Sequence, residues 1–178
     1  MSFAWEIFKI LVISLVIIIP IRYFLIQPFF VKGASMEPTY EDGEYLVIDE
    51  ASYRFREPAR GEVVVFRYPL DTKEFFIKRI IGLPGETITI NGTEVTIRNK
   101  ENPQGFILDE SRYLKNVPPM GQSEVILKDG EYFVLGDNRS ASFDSRRWGS
   151  VPRQDIIGRV WLRAWPVSRA GIMTVPAY

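Results

Sequence analysis

The chain has 178 residues, of which 46% are hydrophobic and 25% are charged, a composition that excludes a disordered protein and suits one folded domain with or without a membrane anchor. Its 22 basic residues balance 22 acidic ones, and since no basic stripe is present, nucleic acid is not expected as a partner. The absence of cysteine excludes disulfides and thiolate nucleophiles, and the absence of histidine leaves Lys, Asp, Glu and Tyr for acid–base chemistry.

The first predicted element is a single transmembrane helix within segment 1–27. An unbroken run of apolar or small residues extends from Ile10 to Ile21, and charges stand only at its ends, at Glu6, Lys9 and Arg22. The 22 residues from Trp5 to Ile26 would span about 33 Å as a helix, enough for a hydrocarbon core of ~30 Å. A cleaved signal peptide is the alternative, but no basic segment precedes the run and no A-x-A-like site follows it closely. Positive charges flank both ends, so the orientation stays open.

Segment 28–178 is predicted to be a mainly β domain. Short runs rich in Val, Ile, Phe, Tyr and Thr alternate with Gly, Pro and Asn, which is typical of strands and turns. The predicted strands are Tyr45 to Asp49, Glu62 to Tyr68, Phe75 to Ile81, Glu131 to Leu135 and Arg159 to Ala164.

A smaller β insertion is predicted at about residues 87–130. It begins with a hairpin from Thr87 to Ile97, in which a turn at Asn91-Gly92 would set Ile88 opposite Val95. The polar, proline-containing stretch 99–122 is predicted to be an irregular excursion.

Lys78 is the candidate general base. Alternation in the strand Phe75 to Ile81 places Phe76, Lys78 and Ile80 on one face and Arg79 on the other, so each charge has apolar neighbours. A desolvated lysine can lose its charge near pH 7, whereas arginine cannot. A lysine that extends to the edge of the strand is the alternative, which the pattern alone leaves open.

Ser35 is the candidate nucleophile. It follows Gly33 and Ala34, and a turn of small residues can expose its hydroxyl and aim its N–H at a developing oxyanion. The alternative is a turn or capping serine ahead of Pro38.

The stretch Gly136 to Gly149 predicts a structured polar loop next to a core strand. Asp137 or Asp144 could pair with Arg79 or Arg146. A calcium loop lacks the required spacing, and nothing specific supports an aspartic dyad, so no metal is expected.

These segments, in this order after one span, resemble the type I signal peptidases. The matching pieces are Gly33-x-Ser35-Met36-x-Pro38-Thr39, Arg60 to Phe66, Lys78-Arg79-x-Ile81-Gly82-x-Pro84-Gly85-Glu86, Gly136 to Arg139, and Ser142-x-Asp144-Ser145-Arg146-x-Trp148-Gly149. The tail from Trp161 to Gly171 is also similar, so the resemblance covers the chain except near residues 99–122.

The resemblance implies an antiparallel β-sheet catalytic domain with Ser35 as nucleophile and Lys78 as general base. It further implies that the Ser142 hydroxyl holds the lysine amine and that four charged residues form ion pairs that shape the site, namely Asp137, Asp144, Arg79 and Arg146. Some members carry an oxyanion-hole serine at the position of Gly33, so this chain would use the Ser35 N–H and another backbone donor.

The implied partners are membrane lipid and secreted precursors whose signal peptides end in small residues. The peptide would bind as an added β-strand, with Phe30 and Met36 as substrate-binding residues. No cofactor is expected. The resemblance implies a single-pass protein of the cell membrane with its catalytic domain on the extracytoplasmic side, and it leaves the oligomeric state open.

Two alternatives have other functions. Self-cleaving repressor-type proteases share the Ser/Lys chemistry but carry a DNA-binding module where this chain has its apolar run. A membrane-tethered β adaptor would hold Lys78 in a salt bridge, with a pKa near the reference value of ~10.4.

Overall fold

The computed structural model describes residues 3–24 and 26–176, with only the backbone for residues 17–24 and 26. Met1, Ser2 and Leu25 of the predicted anchor, and residues 177–178 of the predicted β domain, lie outside the described residues. Helix α1 (Phe3–Phe24) begins the chain. Among the described residues, no helix has the length and apolarity that crossing a membrane requires. The predicted span therefore stays a prediction.

Strands make up most of the structure that follows α1. The elements are β1 (Ile26–Phe30), β2 (Tyr45–Asp49), β3 (Val63–Tyr68), β4 (Asp71–Gly82), β5 (Thr87–Asn91), β6 (Glu94–Arg98), β7 (Phe106–Ile107), β8 (Gln122–Ile126), β9 (Glu131–Leu135), helix α2 (Ser145–Trp148), β10 (Val151–Pro152), β11 (Ile156–Trp165) and β12 (Gly171–Ile172). Short 3-10 helices cover Ala51–Arg54, Arg153–Asp155 and Val167–Arg169.

The strands form two antiparallel sheets. The larger sheet has the order β1-β2-β11-β3-β4-β9-β10, with β12 paired to β11, and the smaller has the order β7-β6-β5-β8. This arrangement confirms the predicted mainly β, antiparallel fold.

The larger sheet is covered on both faces near its centre. Val63 and Val65 of β3 pack in one buried cluster with Met36, while Val64 and Phe66 pack in another on the opposite face. A strand that is buried on both faces reads as a continuous apolar run, as this one does. The central strands β3 and β4 therefore give the site a rigid base.

The predicted register of the hairpin is wrong by two residues. Ile88 lies opposite Ile97, and Val95 lies opposite Ile90, so the two-residue loop is Gly92-Thr93. Gly92 has φ +60°, which suits a turn with glycine at its first central position.

The stretch 99–122 is more ordered than the irregular excursion predicted for it. It contributes β7, which pairs with β6, and it buries Leu108 and Leu114. The hairpin has an apolar face that its two strands cannot cover alone, so the excursion folds back over it.

Candidate active site

Lys78 lies in the middle of β4, opposite Val64 of β3. Its side chain is buried, with 4% of the residue exposed. The Nζ atom lies 2.7 Å from Ser35 Oγ and 2.8 Å from the carbonyl oxygen of Ile77, and both contacts have hydrogen-bond geometry. The structure therefore brings together the two residues predicted as base and nucleophile.

Burial changes the acid–base chemistry of Lys78. Desolvation lowers the pKa of its amine from 10.5 to about 8, and the carboxylates of Asp144 and Asp137 oppose part of that shift. Removing a charged amine from water disfavours its charged form, whereas nearby negative charge favours it. A useful fraction of Lys78 is consequently neutral near pH 8.

Ser35 stands in the turn between β1 and β2. Gly33 precedes it with φ +90°, a conformation that favours glycine, and the Gly33 N–H donates to Asp42 Oδ1 at 2.6 Å. The Ser35 carbonyl accepts a hydrogen bond from the Asn138 N–H at 3.1 Å. The turn is thus fixed on both sides of the hydroxyl.

Met36, which is predicted to bind substrate, is not among the residues that line the cleft next to Ser35. Its side chain is fully buried in the cluster with Val63 and Val65. Successive residues of the turn point in different directions, and Met36 points inward where Ser35 points toward Lys78. Met36 therefore anchors the turn from the core side, and its predicted contact with substrate stays a prediction.

Arg79 and Asp137 form a buried, two-pronged ion pair on the opposite side of β4 from Lys78. Arg79 Nε lies 2.9 Å from Asp137 Oδ1 and Nη2 lies 2.6 Å from Oδ2. Thr39 Oγ1 donates to the same carboxylate at 2.5 Å. The pair joins β4, the serine turn and the polar loop after β9.

Asp144 is the centre of the polar loop. Its carboxylate is fully buried and accepts hydrogen bonds from the Gly136 N–H at 3.0 Å and from Arg146 Nε and Nη2 at 2.8 and 2.9 Å. The Arg146 N–H also donates to it, so Asp144 caps α2. This network fixes the backbone of the loop beside Lys78.

Ser142 lies near the Ser35 turn, where both residues approach Gly136, but its hydroxyl forms no hydrogen bond with the Lys78 amine of the kind that the resemblance implied. Its Oγ is buried and has no hydrogen-bond partner among the described residues. The amine instead uses the Ile77 carbonyl as its second acceptor.

Gly136 allows the loop and the serine turn to meet. A methyl carbon added at Gly136 would overlap Ser142 Oγ and would lie 2.5 Å from the Ser35 carbonyl oxygen. Both atoms belong to the immediate surroundings of the Ser35–Lys78 contact. Only a residue without a side chain fits there.

Gly136→Ala is expected to lower kcat/KM by about 100-fold, because displacing a reacting group by ~1 Å is enough for such a loss. The assay is cleavage of a precursor, with circular dichroism to verify folding. Gly171→Ala is the control, since a methyl group there meets no atom within 4 Å. Equal activity of both variants would show that the close approach at Gly136 is unimportant.

Glu110 was missed in the sequence. It is buried in the insertion and forms a two-pronged ion pair with Arg139, with Nη1 to Oε2 at 2.9 Å. Arg139 Nε also donates to the Gly136 carbonyl at 3.0 Å. The insertion therefore supports the loop that carries Asp137 and Asp144, but an isolated acid within a polar stretch gives no sequence signal for this contact.

A cleft of about 290 Å³ opens beside Ser35 and Lys78. Phe30, predicted to contact substrate, lines it and is half exposed. The other residues that line it are Phe29, Val31, Lys32, Gly33, Ala34, Phe75, Phe76, Ile77, Ala141 and Phe143.

Two strand edges are open at this cleft. β1 pairs only with β2 in the described part of the chain, and β9 pairs with β4 only between Arg79 and Gly82, which leaves Asp71 to Lys78 free on that side. These open edges allow the cleft to accept an extended peptide through backbone hydrogen bonds.

Within residues 3–24 and 26–176, no group of three acidic side chains is arranged to hold a metal ion.

Comparison with known proteins gives consistent matches. The profile of the family described as signal peptidase, peptidase S26, matches residues 4–165. A probable signal peptidase I-2 of Synechocystis sp. is 41% identical over 175 residues, which cover 95% of this chain and 77% of the relative. Signal peptidase I of Leptolyngbya laminosa is 38% identical, with 94% and 83% covered.

A solved structure is also similar. The crystal structure of a signal peptidase I from Enterococcus faecalis superposes with a TM-score of 0.50 at 29% sequence identity. The match covers 59% of this chain and 97% of that one.

Proposed function

The chain belongs to the signal peptidase family, peptidase S26, and is a serine endopeptidase of that family; on this premise we propose that it removes N-terminal signal peptides from secreted precursors, with Ser35 as nucleophile and Lys78 as general base. The observation that carries the proposal is the 2.7 Å contact between Ser35 Oγ and the buried Lys78 Nζ. That distance is within the range in which a general base takes a proton directly.

In the proposed mechanism, neutral Lys78 takes the proton of Ser35 as Oγ attacks the scissile carbonyl carbon. The protonated amine then gives the proton to the leaving nitrogen, the C–N bond breaks, and an acyl-enzyme on Ser35 remains. Neutral Lys78 next takes a proton from water, the hydroxide attacks the ester, and the proton returns to Ser35 Oγ. Each proton taken up is given back, so the cycle is balanced.

The Ser35 N–H is the first donor of the proposed oxyanion hole. Gly33 offers no hydroxyl, and its own N–H already donates to Asp42 Oδ1. The Gly33 N–H is therefore not proposed as the second donor. Donors of this kind typically contribute about 10²–10³ in kcat.

The signal peptide is proposed to bind in the cleft as an added strand. The open edges of β1 and β4 supply backbone partners, while Phe30, Phe76 and Ile77 offer an apolar but narrow lining. Small side chains fit a cleft of this size better than bulky ones do. We therefore propose precursors with small residues before the cut as substrates.

The test compares two precursors that differ only in the residue before the cut, alanine or tryptophan, with the chain in detergent. The proposal predicts one cut after alanine and at least about 100-fold slower cleavage after tryptophan, since overfilling a packed pocket costs roughly 1–3 kcal/mol or more. Mass spectrometry of both products locates the cut. Equal cleavage of the two precursors, or cleavage at scattered sites, would contradict the proposal.

The pH profile gives a separate prediction. Because only neutral Lys78 acts as the base and its pKa is about 8, kcat/KM is expected to rise about tenfold per pH unit below pH 8 and to level off above it. The rate of cleavage of one precursor between pH 6 and pH 9 measures this. A flat profile over that range, with folding unchanged, would exclude a titrating base of this pKa.

We further propose that segment 1–27 anchors the protein in the cell membrane as a single span and that 28–178 forms the catalytic domain on the extracytoplasmic side. Large apolar side chains of α1 such as Phe3, Phe8 and Ile10 are more than half exposed, which favours lipid contact over water. Membrane fractions washed with alkaline carbonate should retain the full chain and release a variant that lacks residues 1–24. Release of both would contradict the anchor.

A further inference from the structure

A second depression lies on the far side of Ser35 from the cleft. This groove, of about 550 Å³, runs between the insertion and the polar loop. Its lining includes Glu37, Pro38, Arg112, Lys115 and Ser140. The proposed catalytic contact uses none of these residues.

The cleft and the groove meet at the nucleophile. Ser35 lines the cleft, and Glu37, two residues later, lines the groove. On the facing loop, Ala141 lines the cleft and Ser140 lines the groove. An extended peptide that lies in the cleft with its scissile bond at Ser35 therefore continues into the groove.

The deeper charges of the groove are already neutralised. Arg139 is paired with Glu110 and Asp137 is paired with Arg79, and all four residues are buried. These pairs give the groove a rigid floor and leave little charge for a ligand.

The rim of the groove, unlike its floor, carries exposed charges that are not ion-paired in the described part of the chain. Arg112 and Lys115 are exposed, and within the described residues neither forms an ion pair. The opposing charges nearby are Glu37, which is half buried in the groove, and Asp109, whose pKa is lowered by hydrogen bonds from Ser111 and slightly by Arg112. Among the described residues, these two exposed cations outnumber Glu37, the one acid of the lining that forms no ion pair.

We propose that this groove binds the part of the precursor that follows the scissile bond, and that Arg112 and Lys115 favour acidic side chains in its first few residues. The proposal rests on the proposed function and adds a second determinant of specificity to it. Exposed ion pairs are weak individually, so the preference is a modest one that salt reduces.

The experiment uses three precursors that are identical except for Glu, Gln or Lys at one position after the cut, and it scans the first few positions. For the wild type, kcat/KM is expected to be about threefold to tenfold higher with Glu than with Lys at the best position. The double variant Arg112→Glu/Lys115→Glu should reverse that order. The readout is the ratio of kcat/KM between the Glu and Lys precursors for each protein, with the Gln precursor as the common reference.

The control is Lys100→Glu/Lys128→Glu, which makes the same change of charge at two exposed lysines outside the groove. It should keep the preference of the wild type. Equal cleavage of the Glu and Lys precursors by the wild type at every position, or a reversal in the control as well, would overturn the groove proposal while precursor cleavage itself stands. Failure of the wild type to cut any of the precursors would overturn the proposed function.

Discussion

Lys78→Met is expected to lower kcat/KM for precursor cleavage by about 10⁴-fold or more and, at the same time, to stabilise the fold. General bases contribute about 10²–10⁴, and a nucleophile and base that act as one unit lose more when either is removed. Methionine fills most of the same space without an amine. Lys73→Met, at an exposed position of the same strand, is the control and should retain full activity.

The gain in stability follows from the pKa of the buried amine. Its value falls from 10.5 to about 8 on folding, so below pH 8 the folded state carries a charge that it disfavours. One pKa unit corresponds to ~1.4 kcal/mol, so the penalty is on the order of 3 kcal/mol, and methionine removes it. Between pH 8 and pH 10.5 the unfolded chain binds more protons than the folded one, so wild-type stability should rise with pH while that of the variant should not.

Urea unfolding of the wild type and of both variants at several pH values measures these effects. A Lys78→Met variant that cleaves precursor at the rate of the wild type would exclude the amine as base. A variant of lower stability than the wild type at pH 7 would contradict the claim that burial of Lys78 is costly.

Asp144→Ala is expected to lower the free energy of unfolding by about 3–5 kcal/mol, because it leaves a largely buried arginine without its partner. Asp144 is fully buried and accepts from the Gly136 N–H as well as from Arg146. Losing it also removes a negative charge that raises the pKa of Lys78. The pH at which activity levels off should therefore shift downward in any fraction that folds.

The matched control is Asp129→Ala, at an exposed position just before β9, with an expected change within about 0.5 kcal/mol. Urea midpoints at pH 7 give both values. If the two variants lose the same small amount, Asp144 is not the centre of the loop.

The predictions of β structure succeeded where alternation and length are informative. The predicted strands Tyr45 to Asp49 and Glu131 to Leu135 match β2 and β9 residue for residue. The register of the hairpin failed for a physical reason. A shift of two residues keeps Ile88 and Val95 on the buried face, so the apolar pattern fits both registers and the geometry of the glycine turn decides.

The candidate active site was harder to predict from the sequence than the strands were. Ser35 and Lys78 are 43 positions apart, and their contact depends on the way the serine turn packs against β4. The sequence pattern alone did not decide whether Ser35 and Lys78 have catalytic roles. The resemblance to a family of known chemistry implied that they act together as nucleophile and base. The pattern also could not place the Met36 side chain, because an apolar residue beside a nucleophile can face either the core or the cleft.

The contact of Glu110 with Arg139 shows what sequence reasoning lacks. The insertion around Glu110 is polar, and nothing in its composition distinguishes a buried acid from an exposed one. Burial there results from the fold of the smaller sheet over the polar loop. Such contacts emerge only when distant segments are placed together.

The most direct measurement of the Ser/Lys mechanism compares the wild type, Ser35→Ala and Lys78→Ala on one precursor in detergent, with circular dichroism to show that all three fold. We expect only the wild type to release the signal peptide, after a small residue, and we expect the activity of both variants to be lower by about 10⁴-fold or more. Equal cleavage by all three folded proteins would contradict it and would assign the activity to other residues or to a contaminant.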